Sequence, residues 1–284
     1  MKALVLGGGG VTGVGWMFGV LAGLAEAGLD LSRGQPPDLV VGTSAGSVVG
    51  AQVACGVDLE EAYARQLAAP SREIGAGFGL GMIARYAWAG IRSRSVDQLA
   101  RRIGRLALAA KTVPEAERRA VIASRLPEQR WPERRLLLTA VDAESGELKV
   151  FDRQSGAELV DAVAASCAVP GVWPTVTIGG RRYMDGGVRS GTHLDLVTGA
   201  KAVLALVPLP RTLGPAPPLA SQVQTLERSG SAVLVVSPDA AALRAIGRNV
   251  LDPAKRAGAA KAGRAQAAAI TEGVKQLWIS APHS

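Results

Sequence analysis

Leu39-Val40-Val41-Gly42-Thr43-Ser44-Ala45-Gly46 is the stretch on which the reading of this chain turns. Pro36-Pro37 precede it, and Asp38-Leu-Val-Val41 is a short apolar run that Gly42 breaks sharply. That length and composition predict a strand buried on both faces of a parallel sheet. From Ala45 to Cys55 the pattern predicts a helix. The turn between them spells G-x-S-x-G. A serine on such a turn projects its hydroxyl into a cleft, and Gly42 and Gly46 let strand and helix approach closely. The helix N-terminus adds positive potential where negative charge develops in acyl transfer. The plainer reading is a Gly-Ser turn that only caps a helix.

Toward the N-terminus, Ala3-Leu-Val-Leu6 reads as another buried strand. Gly7 to Gly10 break it, and a helix is expected from Val14 to Ala27, ending near Gly28. Strand–helix–strand–helix predicts a parallel sheet with right-handed crossovers. The first turn contains G-x-G-x-x-G at Gly8, Gly10 and Gly13. One reading is a dinucleotide-binding loop, which wants an acid at the end of the second strand. That strand ends in Gly42-Thr43-Ser44, and Asp38 sits at its other end. The second reading is an oxyanion hole, in which the backbone N–H groups of Gly8, Gly9 and Gly10 point at an acyl carbonyl oxygen.

A nucleophilic serine needs a base. The chain has two histidines, His193 and His283. A Ser–Asp–His order of the α/β-hydrolase kind expects several strands before the serine, and only one precedes the strand that carries Ser44. His283 is penultimate and expected to fray, and His193 reads as a loop residue rather than one that shapes the cleft mouth. Asp185, in Met184-Asp185-Gly186-Gly187, is the stronger candidate. An isolated Asp-Gly is ordinarily just a turn, but here it accompanies two other glycine motifs. Cys55 and Cys167 read as inert core residues. No metal-ligand spacing exists, so no metal or other cofactor is expected.

Downstream, residues 58–135 are helical by pattern, Ala- and Arg-rich, and interrupted at Gly75–Gly81. They read as a helical insertion or cap at about 58–130. Arg135–Val141 and Glu147–Asp152 read as a strand pair, Leu159–Ser166 as a short helix, and Val176–Ile178 with Arg181–Met184 as a hairpin. Further strands are expected at Lys201–Val207 and Ala232–Val236, with a Pro-rich loop at 208–218. Asp252-Pro253 caps a final helix. That helix holds nine alanines in residues 254–269.

Composition sets outer bounds. The chain has 284 residues, 48% apolar and 20% charged, which excludes a disordered or fibrous protein. Two cysteines exclude a disulfide scaffold. There is no apolar run of membrane-spanning length, and the apolar run at Ala3–Leu6 is too short for a signal core, so a cytoplasmic location is expected. The net charge of +8 is concentrated at 101–135 (+6) and 254–271 (+4). Solvated helix faces account for this most simply, with peripheral contact with an anionic membrane surface second. At 4% aromatic and without a recognition motif, no nucleic-acid partner is expected.

Together, Gly8–Gly13, Gly42–Gly46 and Asp185–Gly187 resemble the patatin-like phospholipase family in order and spacing. The approach Ala165-Ser-Cys-Ala-Val-Pro-Gly-Val-Trp-Pro174 and the run Ile178-Gly-Gly-Arg-Arg-Tyr-Met-Asp-Gly-Gly187 are also similar to it. The resemblance covers residues 1–57 and about 131–207. It departs at Thr12, where many members carry arginine. It implies a Ser–Asp dyad without histidine, with Ser44 as nucleophile, Asp185 as general base, and the Gly8–Gly10 loop as oxyanion hole. The chain is therefore read as one domain, 1–284. Its expected fold is a three-layer α/β/α sandwich with a central, mostly parallel sheet and the helical insertion. The expected function is lipid degradation by a serine acyl hydrolase of phospholipase A or lysophospholipase type. The expected substrate is a lipid or other acyl ester. Two alternatives remain: a soluble carboxylesterase or thioesterase with the same dyad, and a nucleotide-binding module using Gly8–Gly13. A third reading is a folded domain without catalysis.

Overall fold

Strand β1 (Lys2–Leu6) is buried throughout, with a parallel neighbour on each side and packed residues over both faces. In the computed structural model, residues 1–69, 80–210 and 214–279 are described. Most of the Gly75–Gly81 stretch, part of the Pro-rich loop, and His283 lie outside them. The sheet runs β5-β6-β3-β2-β1-β7-β8, with β4 also paired to β3. β2 (Leu39–Thr43), β3 (Arg135–Asp142), β7 (Ala202–Leu206) and β8 (Ala232–Val236) form the parallel part with β1. β4 (Leu148–Phe151), β5 (Val176–Ile178) and β6 (Arg181–Asp185) add antiparallel pairings beyond β2. This is a mixed, mostly parallel sheet flanked by helices, an α/β fold.

The alternation along β1 assigns the two faces. Leu4 and Leu6 join the main core with Trp16, Phe18 and Leu21 of α1 (Gly10–Glu26) and Val48 and Val49 of α2 (Ala45–Ala54). Ala3 and Val5 face the other way, against Leu194, Val197 and Leu226. Leu194 and Val197 belong to a short 3-10 turn, and Leu226 belongs to α8 (Leu219–Arg228). Helices thus cover both faces.

The alanine-rich final helix, α10 (Arg256–Ile279), lies directly on α1. Small residues make that distance possible. A Cβ added at Gly19 would sit 2.0 Å from the Ala260 carbonyl oxygen. Across the same seam Trp16 Nε1 donates to Gln266 Oε1 at 2.9 Å.

The segment between α2 and β3 forms α3 (Leu59–Leu67), α4 (Leu80–Ile91), α5 (Val96–Leu108) and α6 (Glu115–Ser124). Asp58 caps α3 by accepting from the Glu60 and Glu61 N–H groups. The apolar stripe of α5, Leu99, Ile103 and Ala107, packs on Val141, Met184 and Val188. That contact seats the insertion over the β3–β6 end of the sheet, beside Asp185.

Three local differences from the sequence reading stand out. α1 begins at Gly10 rather than Val14, because the glycines read as a breaker include its first turn. α8 and α9 (Ala240–Ile246) were not expected. The last helix starts as a 3-10 turn at Pro253–Lys255, with Asp252 accepting from Ala254 N–H, and α10 follows it.

Candidate active site

Ser44 is the residue between β2 and α2, and its backbone is strained. It has φ 54° and ψ −116°, a conformation that a side chain other than glycine adopts rarely and at a cost. Several contacts hold it there. Its N–H donates to Ser166 Oγ at 2.9 Å. Its carbonyl oxygen accepts from Ser47 Oγ at 2.6 Å and from Cys167 Sγ at 3.2 Å. Gly46 is required sterically, since a Cβ there would lie 1.8 Å from the Leu6 carbonyl oxygen. α2 is therefore pressed against the end of β1.

Asp185 ends β6. Its N–H donates to the Ala168 carbonyl at 3.0 Å, and its Oδ1 accepts from Gly187 N–H at 2.7 Å. The side chain is buried, which disfavours the charged form and pushes its pKa up to about 6. Hydrogen bonds from the Ser44 side chain and from Gly187 N–H oppose part of that rise. The structure thus brings Ser44 and Asp185 together.

The Gly7–Gly10 loop lies beside them. Gly8 N–H donates to the Gly191 carbonyl at 3.0 Å, so it is already engaged. Of the three donors expected from sequence, Gly9 and Gly10 have N–H groups with no acceptor among the described residues. They open α1, where the first N–H groups have no partner within the helix. Gly10, at φ +60°, packs against the Val250 carbonyl, so the C-terminal part of the chain buttresses the loop. Thr12 is fully buried, and both its N–H and its hydroxyl donate to the Val250 carbonyl, at 3.1 and 3.3 Å. Asp38, the acid that a dinucleotide site would need elsewhere, accepts from Lys2 N–H at 2.6 Å.

A cleft of about 180 Å³ joins Ser44, Asp185 and the glycine loop, with Val169, Pro170, Val188, Leu209 and Leu251 on its apolar walls. Tyr86 of α4 also lines it, and sequence reasoning missed this residue. Its hydroxyl donates to the Pro170 carbonyl at 2.9 Å. Burial, with the Asp185 charge behind it, pushes the phenol well above its ordinary range, so it stays protonated. Ser166 and Cys167 were missed as braces. Their only signal was the Ala165-Ser-Cys-Ala run inside the resembling stretch.

His193 is buried and does not line the cleft. Its ring Nε2 lies 3.1 Å from the Gly186 carbonyl, which can only accept, so Nε2 carries the proton and donates. Burial lowers the ring's pKa and keeps it neutral. The histidine holds the Asp-Gly-Gly turn. Cys55 lies elsewhere, with its thiol raised to about 11 by burial. Among the described residues no cluster of His, Cys, Asp or Glu could hold a metal ion.

The fold and site together define a class: an α/β protein with a serine on a strained strand-to-helix turn and a buried carboxylate beside it. The Patatin-like phospholipase family model matches residues 4–197, and the chain belongs to that family. It is accordingly a lipid-hydrolysing enzyme. Among solved structures it is similar to VipD from Legionella pneumophila, at 12% identity and a TM-score of 0.47, covering 96% of this chain and 67% of that one. It is also similar to the type III effector protein ExoU, at 15% identity and a TM-score of 0.40, covering 96% of this chain and 53% of that one. The chain thus spans about two thirds of the first and about half of the second. No curated protein matches it.

Proposed function

We propose that this chain is a serine acyl hydrolase that cleaves carboxyl esters of lipids, of phospholipase A or lysophospholipase type, through a Ser44–Asp185 dyad. The single observation that carries this is the buried Asp185 carboxyl bonded to the side chain of a serine on a strained turn. Ser44 Oγ attacks the ester carbonyl carbon while its proton passes to Asp185. The oxyanion that forms is met by the Gly9 and Gly10 N–H groups and the N-terminus of α1. Collapse breaks the bond to the alcohol, which takes the proton from Asp185 as it leaves. Water then attacks the acyl-enzyme, gives a proton to Asp185, and Ser44 departs with that proton restored.

The raised pKa is what makes a carboxylate serviceable here. An unperturbed Asp near ~3.9 is a poor base for a serine hydroxyl. At about 6 it is closer to neutral pH and still largely ionised there. The same burial keeps water from weakening the oxyanion donors.

We read residues 1–284 as one hydrolase domain with 58–130 as its cap. The cap also supports contact with an anionic lipid surface. On α4, Trp88 is 55% and Ile91 87% exposed, and the Arg92 and Arg102 guanidinium groups lie over the Trp88 ring at 5.2 and 5.8 Å. Apolar and basic groups in one patch suit a bilayer interface. No helix among the described residues is long and apolar enough to cross a membrane.

The direct test is hydrolysis of phosphatidylcholine, lysophosphatidylcholine and a p-nitrophenyl ester by wild type, Ser44→Ala and Asp185→Asn. Fatty-acid release from the lipids that both substitutions abolish supports the reading. Release that survives Ser44→Ala overturns it.

A further inference from the structure

Tyr86 and Val188 line the cleft at Ser44, and both also line a second space of about 330 Å³ under the cap. Val188 ends the 3-10 turn Gly186–Val188 that Asp185 caps, so the two spaces meet beside the base. The cap builds most of the rest. α4 contributes Ala87, Gly90 and Ile91, and α5 contributes Leu99 and Ile103. Residues 86, 87, 90 and 91 fall on one strip of a helix, and Leu99 and Ile103 share one face of the next. Room exists between them because Ala87 and Gly90 are small. Gly214 closes one side, since a Cβ there would lie 3.3 Å from Leu99 Cδ2 and 3.4 Å from Gly90 Cα. At Ile91, which is 87% exposed, the space reaches the surface.

The chemistry of this second space is one-sided. Among the described residues no charged side chain lines it. Its one polar side-chain group, the Tyr86 hydroxyl, is already turned to the Pro170 carbonyl at 2.9 Å. An ionic group would lose its hydration there with nothing in return. A hydrocarbon chain gains from every methylene it buries. The cleft at Ser44, at about 180 Å³, is the smaller of the two spaces. A long chain held by its carbonyl at Ser44 outgrows that cleft, and the way past Tyr86 leads onto apolar surface rather than into water.

We propose that the acyl chain passes between Tyr86 and Val188 into the second space, and that Ala87, Leu99 and Ile103 set the chain length the enzyme prefers. The inference rests on the hydrolase reading above and deepens it by assigning acyl-length selection to residues of the cap. Ala87 is the telling position. It lies exposed on α4, so bulk added there fills the space without cutting into the core.

The test compares p-nitrophenyl decanoate with p-nitrophenyl butyrate, both below micelle formation. The readout is the ratio of their kcat/KM values, which partial unfolding does not move because both rates scale with folded enzyme. Each buried methylene is worth about 4-fold in kcat/KM, so wild type should favour the decanoate by roughly 10-fold or more. Ala87→Trp displaces the end of the chain and should cut that ratio roughly 10-fold, the equivalent of about two methylenes, with Ala87→Leu in between. Ile103→Ala deepens the space and should move the preference toward the dodecanoate. Ala84→Trp, at an exposed position of α4 that lines neither space, should keep the wild-type ratio. A ratio that Ala87→Trp leaves unmoved sends the chain elsewhere and overturns the inference while the hydrolase stands. An equal fall for Ala84→Trp and Ala87→Trp marks a general disturbance of the cap and also overturns it. Equal rates on the two esters in wild type do the same. If neither ester is cleaved and Ser44 takes no fluorophosphonate, the hydrolase reading falls and the acyl path with it.

Discussion

Asp185 stands one register step beyond Thr43 along β3: Thr43 pairs with Thr139, and Asp185 pairs with the next residue, Ala140. β2 arrives parallel to β3 and β6 antiparallel, so the serine that follows Thr43 and the aspartate that ends β6 meet at one point. Thr43 Oγ1 and Thr139 Oγ1 share a hydrogen bond at 2.8 Å that ties the two strands there. The dyad is thus a consequence of strand register, and its members are 141 positions apart in the chain.

The first prediction concerns pH. With Asp185 raised to about 6, kcat/KM should fall as pH drops through that value, because the base becomes protonated. Stability should move the opposite way. The folded state binds this proton more tightly than the unfolded state, whose carboxyl titrates near 3.8. The contribution is therefore fully present below about pH 4 and is lost as pH rises through about 6. Asp185→Asn removes the burial of a charge, so it should melt higher than wild type at pH 7 and gain little at pH 3.5. Thermal melts at both pH values check this. A wild-type profile flat between pH 5 and 7 would contradict the assignment.

His193 should act as a brace rather than a base. His193→Asn keeps a residue that tolerates its left-handed φ of 51° but loses the bond to the Gly186 carbonyl. The expected result is a drop in kcat of about 5-fold, equivalent to one hydrogen bond. The inflection near pH 6 should stay in place. Its disappearance would make His193 the titrating base.

Tyr86 joins the cap to the cleft. Tyr86→Phe loses the bond to the Pro170 carbonyl and should cost about 1 kcal/mol of stability. Tyr86→Ala also removes an apolar wall of the cleft, so KM for a p-nitrophenyl ester should rise more than in the Phe variant. Denaturant titration and steady-state kinetics separate the two effects.

The α1–α10 seam should be intolerant of bulk. Gly19→Val places carbon atoms where the Ala260 carbonyl oxygen lies, 2.0 Å from an ideal Cβ. Helix separation or unfolding follows, at a cost of about 3 kcal/mol or more. A urea midpoint within error of wild type would show that the helices do not pack as described.

Much of this was legible in the sequence. The buried strands announce themselves because parallel strands are apolar on both faces, as in Ala3–Leu6 and Leu39–Val41. Both glycine turns were visible because their residue types serve backbone geometry. Other features were hidden for identifiable reasons. α8 has polar residues on most of its surface and buries chiefly Leu226, so its period is faint. α9 is seven residues long, and its markers, Asp239 at the start and Gly247 at the end, were there to be read. Tyr86 carries no motif, and only the folding of the cap brings it to Asp185. That Gly8 N–H is taken by Gly191 depends on a loop far along the chain, and no local pattern encodes it.

The most direct measurement is fluorophosphonate labelling followed by intact and peptide mass analysis of wild type, Ser44→Ala and Asp185→Asn. The account predicts one adduct on wild type, mapped to Ser44. It predicts none on Ser44→Ala and greatly slowed labelling of Asp185→Asn. An adduct on another residue, or undiminished labelling of Asp185→Asn, would contradict the dyad.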